Sequence, residues 1–312
     1  MHSLKRLSGT INQYCKYNLK RCLASKPAEN RKIEAEKEKN IVIDRIKGVT
    51  IIGINRPQTK NCLDTATAQE LSDELEKFEN DKESVVGVLH GIGGNFCGGY
   101  DLKEIAKYDG TNEETLPQFG PLADKIELVK KPLVAAISGY AIGIGFELAL
   151  MCDIRIMEDS AVLGFFNRRF GIPILCGGTV RLPALIGYGR AMELILTGRA
   201  ISGHEAFNWG LVSRCTHTGS VLGSAVNFAN SFLKFPQKPM LADRVSTHFA
   251  TFSAKQLEEA LQFEKDNASH LLFEEGVRGA NRFVNEKLGR HGKFYNITSI
   301  DVSFKELDKD LL

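Results

Sequence analysis

The chain has 312 residues, 43% of them hydrophobic and 25% charged, with 29 glycines and a formal net charge of +2. These values exclude collagen-like, wholly disordered and small disulfide-scaffold proteins, and they fit one large domain or two small ones with a substantial core. The charge is unevenly placed: residues 1–28 hold six Lys/Arg and no acid, and the remainder holds 34 basic against 38 acidic groups, a balance of −4 that argues against nucleic-acid binding through bulk charge.

Leu4, Leu7, Ile11 and Tyr14 recur at helical spacing among basic and hydroxyl residues. A basic, acid-free, amphipathic start over 1–28 has the pattern of a mitochondrial transit peptide and predicts a matrix location. Residues 29–40 form a charged spacer. Ile41–Ile46 and Val49–Ile54 are β-branched runs flanking Lys47-Gly48, which predicts a hairpin. Leu71, Leu75 and Phe78 give Thr65–Asn80 a helical period. A buried strand over Val85–Leu89 leads into the glycine-rich loop His90–Tyr100, and a helix is expected over Leu122–Val129. A second buried strand, Leu133–Ile137, leads into a second glycine-rich turn, Gly139–Gly145, followed by a helix over Glu147–Cys152. Further helices are expected over Ala191–Leu196 and Gly203–Trp209, and a long amphipathic one over Ala254–Val284. Strand and helix alternate early and helix dominates late, the pattern of an α/β body with a helical C-terminal extension.

The longest stretch without Asp, Glu, Lys or Arg, Cys215–Leu233, carries Thr, His, Ser and Asn throughout and does not read as a membrane span. The seven cysteines form no CxxC pair, which fits free thiols in a reducing compartment and predicts no metal site.

Two glycine-rich turns after two strands, each leading toward a helix, place backbone N–H groups where they can meet developing negative charge. The second turn reads GxGxxE rather than the GxGxxG of a dinucleotide site, and no phosphate-binding GxxxxGK[ST] occurs.

A series of ordered motifs then resembles the enoyl-CoA hydratase/isomerase (crotonase) superfamily. They are Asn55-Arg-Pro with Asn61-Cys-Leu, Phe96-Cys-Gly-Gly-Tyr-Asp-Leu102, Lys131-Pro-Leu-Val-Ala-Ala-Ile-Ser-Gly-Tyr-Ala and Gly145-Phe-Glu-Leu-Ala-Leu-Met-Cys-Asp-Ile154. Phe170-Gly-Ile-Pro, Gly177-Gly-Thr-Val-Arg-Leu182, Leu196-Thr-Gly-Arg and Ala206-Phe-Asn-Trp-Gly-Leu-Val212 continue the series. The resemblance implies an α/β fold with a ββα spiral core, here 41–240, and a C-terminal helical trimerisation region, 241–312. It implies an acyl-CoA thioester as ligand, no separate cofactor, and homotrimers that often pair into hexamers. It also implies that two backbone N–H groups, at Gly98 and Ile144, bind the thioester oxygen as it gains enolate charge. Asn61, Cys62 and Leu63, with Gly98, Gly99, Tyr100, Asp101 and Leu102, would lie along the CoA arm. The family has glycine at the position of Ile144. A backbone N–H survives the change, while a β-branched side chain there would narrow the pocket.

Hydratases of this family use two glutamates twenty residues apart. The first is Glu147; the second position holds Asn167, which accepts and donates hydrogen bonds but exchanges no proton at neutral pH. No acid lies between Asp159 and Glu193 to replace it. The expectation is an acyl-CoA enzyme with Glu147 as single general acid/base. The alternatives are an acyl-CoA isomerase or decarboxylase, and a catalytically weak acyl-CoA-binding protein.

Overall fold

The computed structural model describes residues 39–107 and 129–286. The leader, nearly all of the spacer and nearly all of the helix expected over Leu122–Val129 lie outside them. Strands β1 (Ile41–Ile46) and β2 (Val49–Ile54) pair antiparallel, with Ile46 opposite Val49. Lys47 takes a left-handed φ of 56° to close the two-residue turn between them, as the Lys47-Gly48 signal requires. Helix α1 (Thr65–Asn80) begins where Asp64 accepts a hydrogen bond from Thr67 N at 2.8 Å, and it buries Leu71, Leu75 and Phe78. Strands β3 (Val86–Gly91), β4 (Leu133–Ile137), β6 (Ile154–Glu158) and β9 (Arg214–Thr216) extend the sheet in the order β1-β2-β3-β4-β6-β9, parallel from β2 onward. Helix α7 (Val221–Phe232) lays Val221, Ala225 and Ala229 on one face of that sheet, against Val88, Val134 and Ile156. With the other face also covered, every residue of β2 and of β4 is buried; the sequence shows the first as a β-branched run and the second as an apolar one.

A second sheet of three short strands, β5 (Tyr140–Ile142), β7 (Val162–Gly164) and β8 (Ile201–Ser202), has the order β5-β7-β8. Strand β4 of the large sheet passes to β5 of the small sheet and then to helix α3 (Ile144–Met151). Strand β6 passes likewise to β7, and then to helix α4 (Gly178–Ile186). Each such ββα unit steps the chain between the two sheets and delivers a helix start to the seam between them.

The structure corrects three local expectations. Gly139–Gly145 is not all turn, because Tyr140–Ile142 pairs with β7 as a strand too short to show a period. Helix α3 begins at Ile144, three residues before the expected start, since the left-handed Gly143 (φ 56°) already sets its N-terminus. The long helix expected over Ala254–Val284 starts at Leu257 and is not a uniform α-helix. Helix α8 (Gln237–Phe252) ends near Ser253, α9 (Leu257–Leu271) follows, and wider π turns at Leu272–Gly276 and Arg282–Glu286 flank α10 (Val277–Asn281). Two further helix pieces, α5 (Tyr188–Thr197) and α6 (Gly203–Asn208), match their sequence signals, and a single turn, α2 (Leu102–Ile105), follows the first glycine-rich loop.

Candidate active site

The two glycine-rich segments meet. Cys97 N donates to Tyr140 O at 2.8 Å and Ile142 N donates to Cys97 O at 3.1 Å, a parallel bridge that holds the first loop against the start of the second. Glycine is required at the crossing: a Cβ on Gly145 would overlap the Cys97 carbonyl oxygen. Helix α3 starts immediately beyond. Its N-cap, Gly143, has no side chain to satisfy the first-turn amides, so Ile144 N–H stands at a helix start bare of any side-chain cap. The Ile144 side chain is fully buried in the main core, so this departure from glycine is absorbed by packing rather than by the cavity.

A cavity of about 400 Å³ opens beside the crossing. Its walls include Cys62, Gly98, Gly99, Tyr100, Asp101 and Leu102 of the expected set, together with Gly143 and Asn167. Asn61 and Leu63 are not part of this wall. Asn61 is fully buried in a left-handed conformation; its amide donates to Ile92 O and Asn95 O at 2.9 and 2.6 Å, and its oxygen accepts from Arg56 N at 2.7 Å. Its work is to shape the loop. Arg56 completes the shaping, with ion pairs to Asp64 at 2.9 Å and Asp101 at 3.2 Å. The sequence reading missed Lys60 and Lys103, two cations on the cavity wall, and Phe166, Phe170 and Ile172. The apolar three follow Gly164 in the Phe-rich run that carries Asn167.

Gly98 N–H donates to Lys60 O at 2.8 Å. That amide is already engaged by the backbone, which counts against its expected role as a donor to a ligand. The neighbouring geometry favours Tyr100. Leu63 N donates to Gly99 O and Asp101 N donates to Leu63 O, both at 2.8 Å, so Gly99 and Asp101 face Leu63 and the N–H of Tyr100 is turned to the other side. On that side Gly99 abuts Ile142 and Gly143.

Glu147 projects from the first turn of α3 and is 1% exposed. Its Oε2 accepts from Cys176 N at 2.6 Å and from Gly178 N at 3.0 Å. Burial pushes its carboxyl above the ordinary range, and the amides of Gly178, Cys176 and Leu175, with nearby Arg181, draw it part of the way back. Tyr100, itself on the cavity wall, places its hydroxyl 3.3 Å from Cys176 Sγ, so one residue links the wall to the loop that grips Glu147. Asn167, twenty residues on, donates Nδ2 to Ile172 O at 2.8 Å and Pro173 O at 3.2 Å. His90 packs against Gly53 on the neighbouring strand, and burial lowers its pKa; it acts as a packing residue of the sheet. Among the described residues no group of three or more His, Cys, Asp or Glu could hold a metal, and no helix is long and apolar enough to cross a membrane.

This arrangement is that of an α/β protein whose two glycine-rich segments meet beside a cavity. A sequence profile of the enoyl-CoA hydratase/isomerase family matches residues 44–291, and the chain belongs to that family. It is 33% identical over 247 residues to a Dictyostelium discoideum protein named "Probable enoyl-CoA hydratase, mitochondrial", covering 78% of this chain and 81% of that one. It is 34% identical over 199 residues to the short-chain-enoyl-CoA hydratase of Clostridium acetobutylicum, covering 62% and 75%. The crystal structure of an enoyl-CoA hydratase from Bacillus anthracis superposes with a TM-score of 0.73 at 34% identity, over 80% of this chain and 97% of that one. The mixed α/β fold with its C-terminal helical region is thus of the crotonase type.

Proposed function

We propose that the protein binds an acyl-CoA thioester in the 400 Å³ cavity and catalyses a hydratase/isomerase-type reaction on it, with Glu147 as the single general acid/base. The observation that carries this reading is the placement of a buried, pKa-raised carboxyl three residues beyond Ile144, on the helix whose uncapped N-terminus adjoins the cavity. Ile144 N–H and Tyr100 N–H are the pair suited to receive the thioester oxygen as enolate charge develops. Donors fixed in this way commonly lower a barrier by about 3–4 kcal/mol. Glu147, whose carboxyl burial raises above the ordinary range, can take a proton from water and return it to carbon. Lys60 and Lys103 offer charge to the phosphates of the CoA arm.

The C-terminal helices leave Leu272, Phe273 and Val284 more than 60% exposed, which supports self-association into trimers or hexamers through this region. The acid-free leader pattern supports a mitochondrial matrix location. Asn167, which cannot exchange a proton, favours a second reading: an acyl-CoA-binding protein with little turnover.

Incubation with 2-enoyl, 3-enoyl, 3-hydroxyacyl and malonyl-type CoA thioesters, followed by mass spectrometry, separates the readings. Interconversion of the 2-enoyl and 3-hydroxyacyl forms supports hydration. Binding with no conversion of any member supports the second reading.

A further inference from the structure

A second cavity, of about 390 Å³, shares no wall residue with the first. It opens where the end of α3 and the start of β6 meet α4 and α8. Its volume is that of an ordinary small-molecule site. Arg155, Arg181 and Arg244 reach its wall, together with His248 and one acid, Asp153. Asp153 is matched to Arg244, whose Nε lies 2.7 Å from it. Arg155 and Arg181 have no ion-pair partner among the described residues. Arg155 is 5% exposed and spends its donors on the carbonyls of Ala149, Cys152 and Leu211, so it supplies charge rather than a contact. Arg181 is held by one bond, from Nη1 to Cys176 O at 2.9 Å. Its Nε and Nη2 have no hydrogen-bond partner among the described residues, and neither is sealed from solvent. Burial and the charges of Arg244 and Arg181 lower the pKa of His248 against the pull of Asp153, so the imidazole is neutral at neutral pH. The wall thus holds three cations against one anion.

Unmatched positive charge taken out of water is costly, and the fork of a guanidinium fits a carboxylate through two parallel bonds. Leu150, Leu185 and Phe252 give the same cavity an apolar side. A bare inorganic anion leaves that side wet, whereas an acid with a short hydrocarbon chain meets both surfaces. We infer that this second cavity is a binding site for a small organic monocarboxylate, its carboxylate on Arg181 and its chain against Leu185 and Phe252. The site shares no residue with the first cavity and does not depend on the acyl-CoA reading.

The test is calorimetric titration of the full chain with hexanoate, hexanamide, acetate and inorganic phosphate. Hexanoate should bind with a dissociation constant of about 1 mM or below. It should bind at least about tenfold more tightly than hexanamide, which lacks the charge, and than acetate and phosphate, which lack the chain. Thr247, exposed on α8 at the cavity wall, locates the site. Thr247→Glu sets a competing carboxylate there and should weaken hexanoate by about tenfold relative to the neutral Thr247→Gln. Saturating CoA should leave hexanoate binding unchanged. Absent hexanoate binding, hexanamide or phosphate as tight as hexanoate, equal affinities in the two Thr247 variants, or displacement by CoA would each overturn the inference.

Discussion

Cys176 donates its backbone N–H to Glu147 Oε2 at 2.6 Å, while its thiol sits 3.3 Å from the hydroxyl of Tyr100 on the cavity wall. One loop residue thus grips the candidate acid/base and faces the residue that shapes the cavity. Burial pushes the Cys176 thiol up to about 11. The thiol is neutral at physiological pH and adds no negative charge beside Glu147.

Because the carboxyl of Glu147 titrates above its ordinary value, its effects on rate and stability differ in sign. As a base it must be ionised, so kcat/KM should fall with decreasing pH along a limb lying above that of a surface carboxylate. The folded state holds the proton more tightly than the unfolded state. Its contribution to stability is therefore full below the unfolded value and declines as pH rises through the folded one. Urea denaturation across pH 4–8 should show this decline in the parent chain and not in Glu147→Gln.

Tyr100 is 9% exposed and fills cavity space with its ring. Tyr100→Ala should extend the acyl chains accepted, raising kcat/KM for longer thioesters relative to butyryl by about fourfold for each newly buried CH₂. Competition kinetics with a homologous series of thioesters measures this shift.

Gly145 marks a close approach of the two glycine-rich segments, and a Cβ there would meet the Cys97 carbonyl. Gly145→Ala should cost about 1–3 kcal/mol of stability and lower turnover more than CoA affinity, because the amide of Ile144 moves with the strain. Denaturant titration and initial-rate kinetics check the two parts.

Among the described residues, the most exposed C-terminal apolar side chain is Phe273, at 77%. If this face is the self-association surface, light scattering should find trimers or hexamers. Phe273→Asp should then shift the population toward monomer at micromolar concentration.

Much of this architecture was legible in the residues. The Lys47-Gly48 hairpin, α1 and the buried strand β4 matched their signals because turn chemistry, periodicity and apolar runs agree locally. Strand β5 was hidden in a glycine-rich stretch, since three residues show no period and only pairing with β7 makes them a strand. The wider turns in the C-terminal helix were hidden because amphipathic spacing runs on across Leu272–Gly276. At the site, motif order brought Glu147, Asn167 and Ile144 to attention. Spacing could not reveal that Gly98 N–H is spent on Lys60 O, because that bond joins segments 38 residues apart in the chain. Nor could it reveal that Asn61 serves the loop rather than the cavity.

The account stands most directly on Glu147. Wild type and Glu147→Gln should be compared in two quantities on one thioester, the turnover number and the dissociation constant of an unreactive saturated analogue. Loss of turnover by about 10²–10⁴-fold, with the dissociation constant changed by less than about threefold, is the predicted result. Unchanged turnover in Glu147→Gln would contradict it.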